Sequence, residues 1–171
     1  MALGTATNHH VPLHLISDGV PAAGVDEVQG LTTDSTVMAG TFRLSFEGFY
    51  TGPISWTATT AILETALNDL PSVADGATGV VGVVVTGGPF PGTALVVTFS
   101  GSNVAKRALG LLVLHRNDLV GGGTVVITES TAGVNVFGRG APDGAQALNG
   151  QTGVLYYNSG DANIPVWSTA S

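Results

Sequence analysis

Between residues 41 and 133 the apolar residues change period twice, and this change restricts the chain to a β-rich fold carrying one helix. In Thr41-Phe42-Arg43-Leu44-Ser45-Phe46-Glu47 every second residue is apolar, the mark of a strand with one buried face. A partner strand is expected over Gly52–Thr57, with Pro53 at its start or at an edge. The spacing then turns helical. Ile62, Leu63, Ala66, Leu67 and Leu70 recur at three- and four-residue intervals over Thr59–Leu70, Thr57 or Thr59 can cap the start, and Pro71 opposes continuation. Period two resumes in Val80–Thr86, Thr93–Phe99, Leu109–Arg116 and Thr124–Glu129. Gly87-Gly88-Pro89-Phe90-Pro91-Gly92 predicts a hairpin between the first two of these, and Gly121-Gly122-Gly123 predicts another turn. Phe42, Leu44, Phe46, Ile62, Leu67, Val97 and Phe99 are expected to meet in one core. The expected fold is mainly β (α+β), a sandwich-like domain with one helix packed on a sheet.

Two different zones flank this domain of residues 25–133. Residues 1–24 hold three histidines, two prolines and a short alternating patch, Val11–Ile16, without a sustained period. They read as an N-terminal extended arm with one short strand. Residues 134–171 open with a Gly- and Pro-rich linker. They end in two apolar runs, Gly153–Asn158 and Ile164–Ser168, around the turn Ser159–Asn163, a C-terminal β-hairpin. An isolated hairpin is marginal in water, so this one is expected to pack on the domain or on another subunit.

Composition narrows the function classes. The net charge of −7, with only five Lys and Arg, argues against a nucleic-acid partner, whose phosphates demand a basic patch. The longest apolar runs are strand-length, well short of the roughly 20 residues of a bilayer span, so no membrane partner is expected. Met1–Thr5 shows no basic region followed by an apolar run, and no secretory signal is expected. Without cysteine there is no disulfide or thiolate metal site. Charged residues make up 10% of the chain, against a typical value of about 25%. A surface so poor in charge is easily desolvated against a neighbour, as an assembly protein requires.

No catalytic, cofactor or metal site is expected. His9, His10 and His14 would align two ligands only on a helix, and Pro12 interrupts it. Asp26, Glu27, Asp34, Asp69, Asp75 and Asp118 flank turns or element ends, where carboxylates bond their own backbone. Glu47 and Glu129 fall on solvent faces of strands, and His115 at a strand end. The glycine clusters lack the strand, helix and Lys-Ser/Thr context of a phosphate loop. A carbohydrate-active enzyme would need two converging carboxylates, and no such pair stands out. The candidate contact residues are Val11, Leu13, Leu15 and Ile16 in the arm, with Tyr156, Tyr157 and Trp167 in the hairpin. Tyr and Trp are favoured at interface centres.

Several motifs in residues 25–133 occur together in a known order. They are Gly40-Thr41-Phe42-x-Leu44-x-Phe46, Pro53-Ile54-x-Trp56-x-Ala58-Thr59, Ala66-Leu67-x-x-Leu70-Pro71 and Val83-x-Val85-Thr86-Gly87-Gly88-Pro89-x-Pro91-Gly92. Val97-Thr98-Phe99-x-Gly101, Leu119-x-Gly121-Gly122 and Thr131-Ala132-Gly133 complete the set. On these residues the domain resembles a β-rich module of tailed-bacteriophage virion structural proteins; Ala105–Leu119 departs from the pattern. Gly153-x-Leu155-Tyr156-x-Asn158-x-Gly160 and Pro165-x-Trp167 resemble a C-terminal piece of phage head and fibre proteins. The resemblance implies a non-enzymatic virion protein without cofactors, foremost a capsid decoration protein on the outer capsid surface, assembled in the host cytoplasm. Its implied partners are the major capsid protein and further copies of itself, with a homotrimer as one arrangement. The alternative is a tail or head-fibre accessory protein that binds host-surface glycans.

Overall fold

The computed structural model describes residues 13–16, 21–34, 36–74, 81–141 and 143–169. The chain divides into two compact units, a main unit of Gly24–Asn135 and a small unit of residues 1–23 with 136–171.

The main unit is built from two antiparallel sheets. One runs β6 (Val83–Gly87), β7 (Leu95–Phe99), β2 (Val28–Thr33), β9 (Val125–Thr131). In the other, β3 (Ala39–Phe46) is central: β8 (Val113–Val120) pairs along one edge, while β4 (Phe49–Tyr50) and β5 (Ile54–Ser55) share the opposite edge. Alternation fixes which side chains enter the core. Phe42, Leu44 and Phe46 of β3 are buried together with Leu95, Val97 and Phe99 of β7. Phe46 meets Phe99 at 5.1 Å between ring centroids. The Gly- and Pro-rich turn between β6 and β7 tucks Phe90 into the same core, 6.0 Å from Phe42.

The helix α1 (Thr60–Asn68) is the one α-helix among the described residues, and Thr59 is its N-cap, accepting from the Ile62 N–H at 3.4 Å. It also closes an exposed sheet edge. The Glu64 carboxylate accepts the Val85 N–H at 2.9 Å, and the Asn68 amide oxygen accepts those of Gly82 and Val83 at 2.7 and 3.0 Å. The N–H groups that Val83 and Val85 of edge strand β6 would otherwise offer to a foreign strand are therefore occupied. Leu63, Leu67 and Leu70 turn inward, whereas Ile62 stays 44% exposed. Five apolar residues make a stripe wider than the contact, so the expectation that Ile62 joins the core fails.

Other details differ from the sequence reading. The strand expected over Leu109–Arg116 lies at Val113–Val120, because Gly110 and Leu112 hydrogen-bond to the buried Gln29 side chain instead of to a strand. His115 is thus mid-strand, at a bulge where Leu114 and Arg116 face Leu44 and Arg43. Glu47 sits in the β3–β4 turn with a φ of 47°, not on a strand face. Gly121, at a φ of 110°, lets the chain turn from β8 to β9 where a Cβ would strike the Thr36 carbonyl.

Strand β2, central in its sheet, has no clear signature in the sequence. Its inner face carries Gln29, fully buried, whose amide donates to Gly110 O at 3.1 Å and accepts from Leu112 N–H at 2.8 Å. Beside it Glu27 is buried rather than at a turn surface. Its carboxylate accepts from Gly133 N–H at 2.7 Å and from the Gln29 amide at 3.2 Å. These two side chains tie distant chain segments together, and each polar group finds the partner that burial demands.

The small unit is a single four-stranded sheet in the order β1 (Leu13–Ile16), β10 (Gln146–Asn149), β11 (Leu155–Asn158), β12 (Trp167–Thr169). The strand in the N-terminal zone pairs parallel with β10, and the C-terminal hairpin completes the sheet. The last strand starts at Trp167 rather than Ile164. Asp161 caps the preceding turn by accepting from Asn163 and Ile164 N–H at 2.7 and 2.8 Å. Ile16, Ala147 and Tyr156 form the core of this unit, with Phe137 and Trp167 packed against it.

Candidate functional site

Side chains on one sheet face alternate along each strand and align across strands. The register of the small sheet places Leu13, Gln146, Tyr157 and Ser168 in one row, and Leu15, Leu148 and Leu155 in the next. Ile16, Ala147, Tyr156 and Trp167 project to the opposite face and fill the core. Among the described residues this outer face carries four leucines beside the polar Gln146 and Ser168, and its one ionisable group is the Tyr157 phenol. Leu13 is 54% exposed and Leu15 72%, while Leu148 and Leu155 are half-buried and Tyr157 is exposed.

This geometry sorts the expected contact residues. Leu13, Leu15 and Tyr157 lie together on the outer face. Ile16 and Tyr156, also named as contact residues, are buried in the core of the unit. Trp167 is half-buried; its indole N–H donates to Phe137 O at 2.9 Å and its ring meets Phe137 edge-on at 5.6 Å. Its packing is local for the same reason: odd and even positions of a strand serve opposite faces. Val11 lies outside the described residues, as do His9 and His10. Leu148 and Leu155 were missed, because Leu148 stands in a strand whose polar ends, Gln146 and Asn149, hide it.

The outer face is held in place from below by hydrogen bonds rather than by apolar bulk. The Asn158 amide oxygen accepts from Gly160 and Val166 N–H, both at 2.9 Å, and its amide nitrogen donates to Ala141 O at 2.8 Å. Asn149 accepts from Gln151 and Thr152 N–H, both at 2.9 Å. Both asparagines are buried. Gly138 approaches Trp167 so closely that a Cβ there would lie 2.7 Å from the indole Cζ2.

The main unit carries a concave feature of its own. A cleft of about 520 Å³ opens between α1 and the β4–β5 stretch, with Tyr50 at its rim. Tyr50 stacks on His115, ring centroids 4.2 Å apart. Among the described residues no group of three or more His, Asp or Glu side chains is placed to hold a metal ion, and no helix is long and apolar enough to cross a membrane.

No family model matches the chain, and no curated protein matches it. Among solved structures, the chain is similar to one from Mycobacterium phage Patience. The two share 19% identity at a TM-score of 0.40, over 86% of this chain and 56% of that one. The chain thus spans little more than half the length of that neighbour.

Proposed function

We propose that this chain is a non-enzymatic structural component of a tailed-phage particle, a decoration protein that attaches to the outer capsid surface through the outer face of its small sheet. The observation that carries this reading is that face: Leu13 and Leu15 stand exposed beside Leu148, Leu155 and Tyr157, without a formal charge among them. Water leaves such a surface at little electrostatic cost, and aliphatic area around a tyrosine suits a protein partner. The motifs that resemble those of phage virion modules, from Gly40-Thr41-Phe42 to Thr131-Ala132-Gly133, support the same reading.

The partners proposed are the major capsid protein and neighbouring copies of the chain, with a trimer as one arrangement. A single small sheet offers a modest contact, and repetition around a symmetric shell converts modest contacts into firm retention. Quantitative mass spectrometry of purified particles tests the proposal by copy number. Hundreds of copies per particle are expected; a handful would assign the chain to a tail or fibre, and none would remove it from the particle.

A further inference from the structure

The cleft beside Tyr50 lies on the main unit and is not used by the attachment proposed above. Its volume of about 520 Å³ falls within the roughly 300–1,000 Å³ of small-molecule sites. Ile54 and Leu70, both buried, contribute an apolar floor, and exposed Ile62 forms part of one wall. The helix stays outward here because Leu63 and Leu67 take the core, which is why an isoleucine is left at the mouth.

Three polar features set the ligand chemistry. Thr65 of α1 and Asp69, the helix C-cap one turn on, are both exposed and both line the cleft. Neither side chain is engaged with another described residue, whereas Glu64 and Asn68, on the adjoining face, are committed to β6. Tyr50 is 58% exposed, and the His115 ring supports it from the side, so it stands at the rim without being buried. No Lys or Arg lines the cleft.

An anion is disfavoured by the Asp69 carboxylate and the absence of any cation. A wholly apolar ligand would desolvate Asp69 without replacing its hydrogen bonds. A simple cation would gain little from one exposed carboxylate and would leave the apolar floor unused. A neutral sugar ring meets all three requirements. It has an apolar C–H face for Tyr50 and Ile62, and a hydroxyl edge that donates to Asp69 and exchanges hydrogen bonds with Thr65. We infer that this cleft is a binding site for a neutral hexopyranose glycan.

The test is a titration of the full chain followed by amide chemical shifts in ¹H–¹⁵N spectra. The probes are maltotriose and the trimer of N-acetylglucosamine, with glucose 6-phosphate and tetramethylammonium as charged comparators. Saturable shifts confined to residues 50–54 and 61–70 are expected with at least one neutral trisaccharide and not with the charged probes. Tyr50→Ala and Asp69→Asn should each weaken binding about tenfold, the loss of one charged or stacking contact, without altering the melting temperature. Gly52→Leu, built where a Cβ meets open space, should block the site in a folded protein. The inference is overturned if neither trisaccharide produces saturable shifts there, if the three variants bind as the parent does, or if only the cation binds. None of these outcomes bears on particle attachment, which is read from the other unit.

Discussion

The two units solve the problem of a β-sheet's two faces in opposite ways. In the main unit each sheet buries one face against the other, and the helix covers the open edge at β6. Phe42, Phe46, Phe90 and Phe99 meet in its interior. In the small unit one sheet stands alone. Its inner face reaches only Ile16, Ala147 and Tyr156 with Phe137 and Trp167, and buried asparagines tie down its loops. Its outer face is nevertheless leucine-rich. The contrast separates a unit whose two sheets cover each other from a small sheet whose second face leaves Leu13, Leu15 and Tyr157 exposed.

The comparison breaks most readily in the main core. Phe42→Ala should destabilise the main unit by about 3–5 kcal/mol, the usual loss for a fully buried phenylalanine, measured by urea unfolding. A loss below about 1 kcal/mol would show that the sandwich interior is loosely packed. Asn158→Ala is the corresponding test in the small unit. It strands two N–H groups and a carbonyl and should cost about 1–3 kcal/mol. Hydrogen exchange should rise in β11 and β12 while β3 and β7 stay protected. Equal deprotection of both units would mean that they unfold as one.

Smaller effects sharpen the contrast. Thr59→Ala removes the helix cap and should cost about 1 kcal/mol, visible as faster exchange at the start of α1. Leu15→Ser should change stability by no more than about 0.5 kcal/mol, because the side chain is exposed. A marked loss of stability in that variant would show that the outer face is covered within the chain itself.

Much of the main unit was legible in the sequence because local pattern and tertiary role agree there. Thr41–Phe46 alternates and lies within β3, with Phe42, Leu44 and Phe46 in the core; the Thr59-capped helix and the Gly87–Gly92 hairpin follow their signals. Strand β2 was not legible, since Gln29 and Gly30 occupy positions where an inward strand normally shows aliphatic residues. Gln29 finds its partners at Gly110 and Leu112, and Gly30 makes room for Thr128, all far along the chain. The same limit applies to β1 and β10, a parallel pair joined across most of the sequence. Within the candidate surface, Leu13, Leu15 and Tyr157 could be named from their apolar character, but not separated from Ile16 and Tyr156. A one-residue step reverses the face, and only the register decides it. The cleft was hidden because Tyr50, Thr65 and Asp69 belong to separate elements, with no motif linking them.

The most direct test of the account is rebinding to particles stripped of this protein. Purified parent chain and a Leu13→Ser/Leu15→Ser variant are mixed with such particles, sedimented, and quantified. The parent should cosediment to saturation. The variant, with an unchanged melting temperature, should lose at least about tenfold in affinity, as expected when two exposed leucines leave an apolar contact. Equal binding by parent and variant would contradict the assignment of this sheet face as the attachment surface, and failure of the parent to bind at all would contradict the proposed role itself.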